Sequence, residues 1–177
     1  MSRMNNMITK RLILRAATKA DAAAIAAARS TPFVMRYNLY RPCDAPDILR
    51  ELESTAWTVL EERESGALIG AFSAKEDDMR YHVNALEMQA WLTDSYAAKG
   101  YMTEALPPLM GALFADGVER LSVKIFAENV GAYRLVEKLG LSREGCLRQA
   151  VKTHTGEVFD VLLYSISREE YRALYEK

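Results

Sequence analysis

The stretch WLTDSYAAKGYMTEALPPLM, residues 91–110, runs from the end of a strand through a loop of small residues into an apolar helix. Ala97, Ala98 and Gly100 offer only methyl groups or hydrogen, and Lys99 adds one cation. A helix N-terminus carries unpaired N–H groups and the positive end of the helix dipole. Where the preceding loop is small, a phosphate can approach those groups closely. The residues therefore allow two readings: a strand-to-helix turn with a solvated lysine, or an anion site built mainly from backbone donors. Neither a Walker A sequence nor GxGxxG occurs, so nucleotide hydrolysis and a Rossmann site lose their usual support.

On the N-terminal side of this stretch, KRLILRAAT predicts a first strand over about 11–15. Thr18 with Asp21 forms a capping box that opens an alanine-rich helix over 22–29. Asp44 caps a second helix running to about Ser54, with Pro46 tolerated in its first turn. AWTVLEERESGALIGAFSAK reads as a hairpin turning at Glu64-Ser65-Gly66, and VNALEMQAWLT as the strand that delivers the loop. Pro107 and Pro108 lie within the helix that follows, predicted over about 100–114; a kink or a shortened helix is expected there.

Beyond it, RLSVKIF predicts a strand over 120–126, and VGAYRLVEKLG a short helix closed by Gly140 as a left-handed cap. Two long strands around Thr155-Gly156 come next, then a C-terminal helix opened by the Ser167–Glu170 capping box. The order β-α-α-β-β-β-α-β-α-β-β-α describes a mixed α/β fold with one largely antiparallel sheet flanked by helices. No linker divides it, so residues 1–177 are expected to form a single domain.

The chain has 177 residues, half of them hydrophobic and 27% charged, which suits a globular protein with a substantial core. A net charge of −1 favours neither nucleic acid nor an anionic membrane as a partner. Cys43 and Cys146 are the only cysteines and have no metal-ligand spacing; His82 and His154 are too few and too separated for a metal site. No metal is expected. The N-terminus lacks a signal-peptide core and no stretch of apolar residues is long enough to span a bilayer, so a cytoplasmic protein is expected.

Four segments share a further likeness. YAAKGYMTEAL resembles the pyrophosphate-binding loop and following helix of GCN5-related N-acetyltransferases, whose pattern is Arg/Gln-x-x-Gly-x-Gly/Ala. AENVGAYRLVEKLGL resembles the same family's later helix, which begins with an asparagine. REGCLRQAV with DVLLYSISREEY resembles the closing strands of its ribosomal-protein N-terminal acetyltransferase branch, and TKRLILRAATKADA the opening of that branch. The likeness spans about residues 9 to 172 and keeps the family's order.

That resemblance implies two splayed parallel strands in the sheet, with acetyl-CoA as co-substrate in the gap. Backbone of Trp91, Leu92 and Thr93 would pair with the pantetheine arm, and N–H groups of Ala97, Ala98, Lys99, Gly100, Tyr101 and Met102 would hold the pyrophosphate. Asn129 would bond the pantetheine arm, or cap its helix. The acceptor implied is a primary amine, possibly a peptide or ribosomal-protein N-terminus. A homodimer is implied only by analogy with relatives that pair through their C-terminal strands. The departures are specific. Ala97 replaces the usual Arg or Gln, Ala98 the Gly common in this branch, and Met102 the final Gly or Ala. Ala98 disfavours a positive φ that glycine would allow, so weaker but surviving binding is expected.

Acetyl transfer needs a neutral amine, a stabilised oxyanion and a proton for the leaving thiolate. Glu87 occupies a strand position where the branch often has an acidic residue, and is the candidate base; the alternatives are a solvent-facing residue or an ion-pair partner. Ala132 and Val136 stand where family members place Ser or Tyr as proton donor. Tyr133 is the candidate substitute, although helix geometry turns it about 100° from position 132; packing is its other reading. Cys146 is expected to be a buried or half-buried free thiol rather than a nucleophile. Tyr37, Tyr40, Trp57 and Phe159 are candidates to line the acceptor side, with Glu51 or Glu53 attracting a cationic amine. The alternative to an enzyme is a CoA-binding sensor or interaction module with little activity.

Overall fold

The computed structural model describes residues 6–153 and 155–176. His154, read above as no part of a metal site, lies outside them. The strands are β1 (Met7–Ile8), β2 (Leu12–Ala16), β3 (Trp57–Glu62), β4 (Leu68–Glu76), β5 (Ala85–Leu92), β6 (Arg120–Phe126), β7 (Ser142–Lys152) and β8 (Val158–Ser167). The helices are α1 (Ala22–Arg29), α2 (Pro32–Met35), α3 (Ala45–Ser54), α4 (Tyr101–Ala115), α5 (Val130–Lys138) and α6 (Arg168–Tyr175). The strands are ordered β1-β2-β3-β4-β5-β6-β8-β7 in one sheet. Pairing is antiparallel except between β5 and β6, whose parallel register runs only from Ala85–Arg120 to Glu87–Ser122. This is the mixed α/β, largely antiparallel architecture expected from the sequence.

The chain divides into two compact units: the segment up to Ala74 with Gln89–Ala105, and Lys75–Met88 with the segment from Leu106 onward. In the first, α1 and α3 cover β3 and β4. Ile25, Val34, Ile48, Trp57, Val59, Ala71 and Trp91 form its buried cluster. Local chemistry sets the helix starts. The Asp44 side chain accepts from the Asp47 N–H and opens α3. Asp21 accepts from the Thr18 N–H and hydroxyl, and Arg15 forks onto both its oxygens at 2.8 and 2.9 Å. At Gly70 on β4 a side chain has no room: a Cβ there would lie 2.3 Å from the Trp91 carbonyl oxygen.

In the second unit, α6 begins at the Ser167–Glu170 capping box and α5 ends at Gly140, which takes φ +90°. Of the kink or shortening expected for α4, the shortening is absent: the helix continues through Pro107 and Pro108 to Ala115. The prolines remove two backbone donors at ~3 kcal/mol or more each. Against this, Leu106, Leu109, Met110, Leu113 and Phe114 are all buried at helical spacing. Each such side chain is worth about 1.5–3 kcal/mol on full burial, so tertiary packing outweighs the local penalty. Tyr171 also donates to the Pro107 carbonyl at 2.9 Å and packs on Phe114. A second correction concerns Cys146, which is exposed; it sits on β7, the outermost strand of the sheet order, where most side chains face solvent.

Candidate active site

Strand β5 leads directly into the loop. The Thr93 N–H donates to the Ile69 carbonyl at 2.8 Å, which ties this end of β5 to β4. Strand alternation then turns the backbone N–H and C=O of Leu92 toward the opposite edge. Trp91 is buried in the core cluster, with its indole N–H unpartnered among the described residues. A short 3₁₀ turn, Asp94–Tyr96, follows, and the Ala97 N–H closes it on the Asp94 carbonyl at 3.0 Å.

From there the backbone changes character. The N–H groups from Ala98 to Thr103 have no acceptor among the described residues, and the first helical bond runs from Glu104 N–H to the Gly100 carbonyl at 3.1 Å. Ala98 takes φ +57° and Gly100 φ +81°. The left-handed conformation that the sequence disfavours at an alanine is thus present. Such a conformation costs an L-residue roughly 1–2 kcal/mol. Left-handed residues among right-handed ones make successive N–H groups converge, the geometry of anion-binding nests. Ala98, Lys99 and Gly100 are exposed, and Ala97, Tyr101 and Met102 are half-buried.

The loop is braced by residues that sequence reasoning missed. The Glu104 carboxylate, in the first turn of α4, accepts from Thr9 Oγ1 at 2.6 Å, the Arg11 N–H at 2.6 Å and Arg11 Nε at 2.7 Å. Arg11 Nη1 donates to the Lys99 carbonyl at 3.0 Å, and its guanidinium lies 4.0 Å from the Tyr101 ring centre. Burial works to raise the Glu104 carboxyl, but its donors outweigh that and hold it below the ordinary range. The only sequence signal was an ordinary one, an Arg beginning a strand and a Glu in a helix's first turn.

The remaining candidates lie in the second unit. Glu87 is half-buried on β5; Lys124 Nζ stands 2.9 Å and Lys75 Nζ 3.7 Å from its Oε2. The Lys124 contact is an ion pair by distance without hydrogen-bond alignment, since Oε2 has no directed donor. Asn129 caps α5, its Oδ1 accepting from the Ala132 N–H at 3.2 Å. Its amide nitrogen has no partner among the described residues, so capping leaves a donor free. Tyr133 is half-buried on α5, and no hydrogen bond from its hydroxyl occurs among the described residues; Ala132 is half-buried and Val136 buried.

The acceptor candidates are divided between the two units. Glu51 already accepts from Arg29 Nη1 at 2.6 Å and from the Trp57 indole at 2.8 Å, so its charge is committed inside the first unit. Tyr40 is buried beneath the Arg29 guanidinium, 3.8 Å from its ring centre, and burial pushes its hydroxyl pKa up. Tyr37 is half-buried with Arg36 over its ring, and Glu53 is exposed. Phe159 stacks on Phe126 in the second unit. Among the described residues no group of His, Cys, Asp or Glu could hold a metal, and no helix is long and apolar enough to cross a membrane.

The profile of the acetyltransferase (GNAT) domain matches residues 11–142. The uncharacterized N-acetyltransferase YoaA of Bacillus subtilis (strain 168) is 27% identical over 170 residues, covering 89% of this chain and 94% of that protein. Among solved structures, the ribosomal-protein-S5-alanine acetyltransferase of Vibrio fischeri superposes with a TM-score of 0.80 at 17% identity, over 95% of this chain and 99% of that one. RimJ of Mycobacterium smegmatis, solved in complex with CoA-disulfide, superposes with a TM-score of 0.76 at 21% identity, over 90% of this chain and 83% of that one.

Proposed function

The chain belongs to the acetyltransferase (GNAT) family, as an acetyl-CoA-dependent N-acetyltransferase, and from that premise we propose that it acetylates the N-terminal amine of a peptide or protein. The observation that carries the site assignment is the run of unpartnered N–H groups from Ala98 to Thr103, opening α4. A pyrophosphate satisfies such donors without any charged side chain, which suits a loop with alanine at 97. The residues present therefore fit the co-substrate. The N–H groups of Ala98, Lys99, Gly100, Tyr101, Met102 and Thr103 hold its pyrophosphate, whereas the expected Ala97 N–H is already taken by the Asp94 carbonyl. Trp91–Thr93 pair with its pantetheine arm chiefly through Leu92, and the Asn129 amide donates to a pantetheine carbonyl.

In the reaction the neutral amine nitrogen attacks the thioester carbonyl carbon, the new C–N bond forms, and the C–S bond breaks to release a thiolate. Glu87 takes the proton the amine sheds, directly or through water. Tyr133 gives a proton to the departing sulfur. Holding both reactants in one complex removes any need for an acyl-enzyme. A single domain over residues 1–177, a cytoplasmic location and a homodimer belong to this same proposal.

The acceptor class rests on the fold likeness to the ribosomal-protein-S5-alanine acetyltransferase of Vibrio fischeri. Its test is mass spectrometry of peptides with free N-termini, against the same peptides with blocked N-termini and against lysine, polyamine and amino-sugar amines. Acetylation confined to free peptide N-termini supports the proposal, and transfer only to small amines overturns it. A second reading, a CoA-binding module with little activity, is favoured by one observation: Glu87 already faces Lys124 at 2.9 Å. Binding of acetyl-CoA without transfer to any amine would decide for it.

A further inference from the structure

Arg11 serves three partners across a long stretch of chain: the Glu104 carboxylate, the Lys99 carbonyl and the face of Tyr101. A peptide unit is planar and trans, so the C=O of one residue and the N–H of the next point in opposite directions. By holding the Lys99 carbonyl, Arg11 therefore aims the Gly100 N–H away from itself. That N–H lies within the run that has no acceptor among the described residues, and belongs to the second of its two left-handed residues, Ala98 and Gly100. Glu104 is the anchor: it takes both the main-chain N–H and Nε of Arg11, with Thr9 as a third donor.

We propose that Arg11 is a positioning residue that sets the anion-binding loop before the co-substrate arrives, acting through the Lys99–Gly100 peptide rather than by touching the ligand. The inference rests on the reading of this loop as the pyrophosphate site. A bare loop with a left-handed alanine would sample other conformations, and each reorientation of that peptide turns a donor into a carbonyl. Arginine suits the task because its fork serves Glu104 and the Lys99 carbonyl together, which an ammonium on a flexible stem does not.

The test compares acetyl-CoA with acetyl-pantetheine, which has the thioester but no pyrophosphate, in the purified full chain. For Arg11→Met the KM for acetyl-CoA should rise about tenfold, the scale of one lost charge-assisted hydrogen bond. Its kcat should be nearly unchanged, and so should its KM for acetyl-pantetheine. Arg11→Lys should fall between wild type and Arg11→Met, and carries the same comparison if the methionine variant does not fold. An unchanged KM for acetyl-CoA overturns the inference, and so does an equal rise with both donors, which would mark a general loss of structure. A wild type that uses both donors with the same KM overturns instead the loop's assignment to pyrophosphate.

Discussion

Lys124 on β6 stands 2.9 Å from Glu87 on β5, two residues beyond Ser122, with which Glu87 makes the last pair of the parallel register. Burial acts to lower the lysine, yet the carboxylates of Glu87 and Asp78 outweigh it and raise the ammonium above its ordinary value. Lys124 is therefore cationic at neutral pH, and an arriving ammonium competes with it for Glu87. If Glu87 is the base, Glu87→Gln lowers kcat by about 10²-fold or more, while acetyl-CoA binding is unaffected. Steady-state rates with calorimetric affinities check this; a kcat near that of wild type removes Glu87 from the reaction.

Ala98 is the one residue of the loop whose side chain opposes its backbone, at φ +57°. Glycine there removes the steric penalty but adds chain entropy to the unfolded state. Ala98→Gly is expected to stabilise the protein by about 0.5–1 kcal/mol, raising Tm by ~1–4 °C. Its affinity for acetyl-CoA should not fall. A lower Tm measured by scanning calorimetry would show that the left-handed conformation is not the one populated in solution.

The Arg15–Asp21 fork gives a pH signature. The Arg15 hydrogen bonds, against burial, hold the Asp21 carboxyl down to about 2 from an ordinary 3.8. A lowered carboxyl adds stability that is complete above its unfolded value and vanishes as pH falls through the folded one. Asp21→Asn should therefore cost about 2–3 kcal/mol at pH 7. In urea titrations the gap between variant and wild type should close between 3.8 and about 2. A gap that persists below that window would assign the loss to the cap rather than to charge.

Gly70→Ala places a methyl group 2.3 Å from the Trp91 carbonyl oxygen, where β4 and the end of β5 meet. The nearest obstacle is a backbone oxygen, which no side-chain rotation relieves. A loss of about 3 kcal/mol, or ~6–12 °C in Tm, is expected. Thermal unfolding checks it, and an unperturbed Tm would mean that the strands separate there at little cost.

Legibility in the sequence followed the range of the interaction. β6 sits where expected, and α1, α3, α5 and α6 do so because Thr18, Asp44, Asn129, Gly140 and Ser167 act within a few residues of themselves. The two-residue β1 and four-residue α2 are too short to show a period and went unread. Helix α4 defeats its prolines through packing that no local rule contains. The loop's small residues were visible, but its brace was not, because Arg11 meets Lys99 and Glu104 across 88 and 93 positions. Shorter separations, still beyond any local rule, hid the pairing of Glu51 with Arg29 and of Glu87 with Lys124.

The central claim is that the backbone donors from Ala98 to Thr103 bind the pyrophosphate of acetyl-CoA. Thermal unfolding of the purified chain with increasing acetyl-CoA tests it most directly. The account predicts a saturable rise in stability, worth about 2.7 kcal/mol at a hundredfold excess over Kd, that CoA reproduces and acetyl-pantetheine does not. No shift with acetyl-CoA at concentrations that saturate known acetyltransferases, or an equal shift with acetyl-pantetheine, would contradict it.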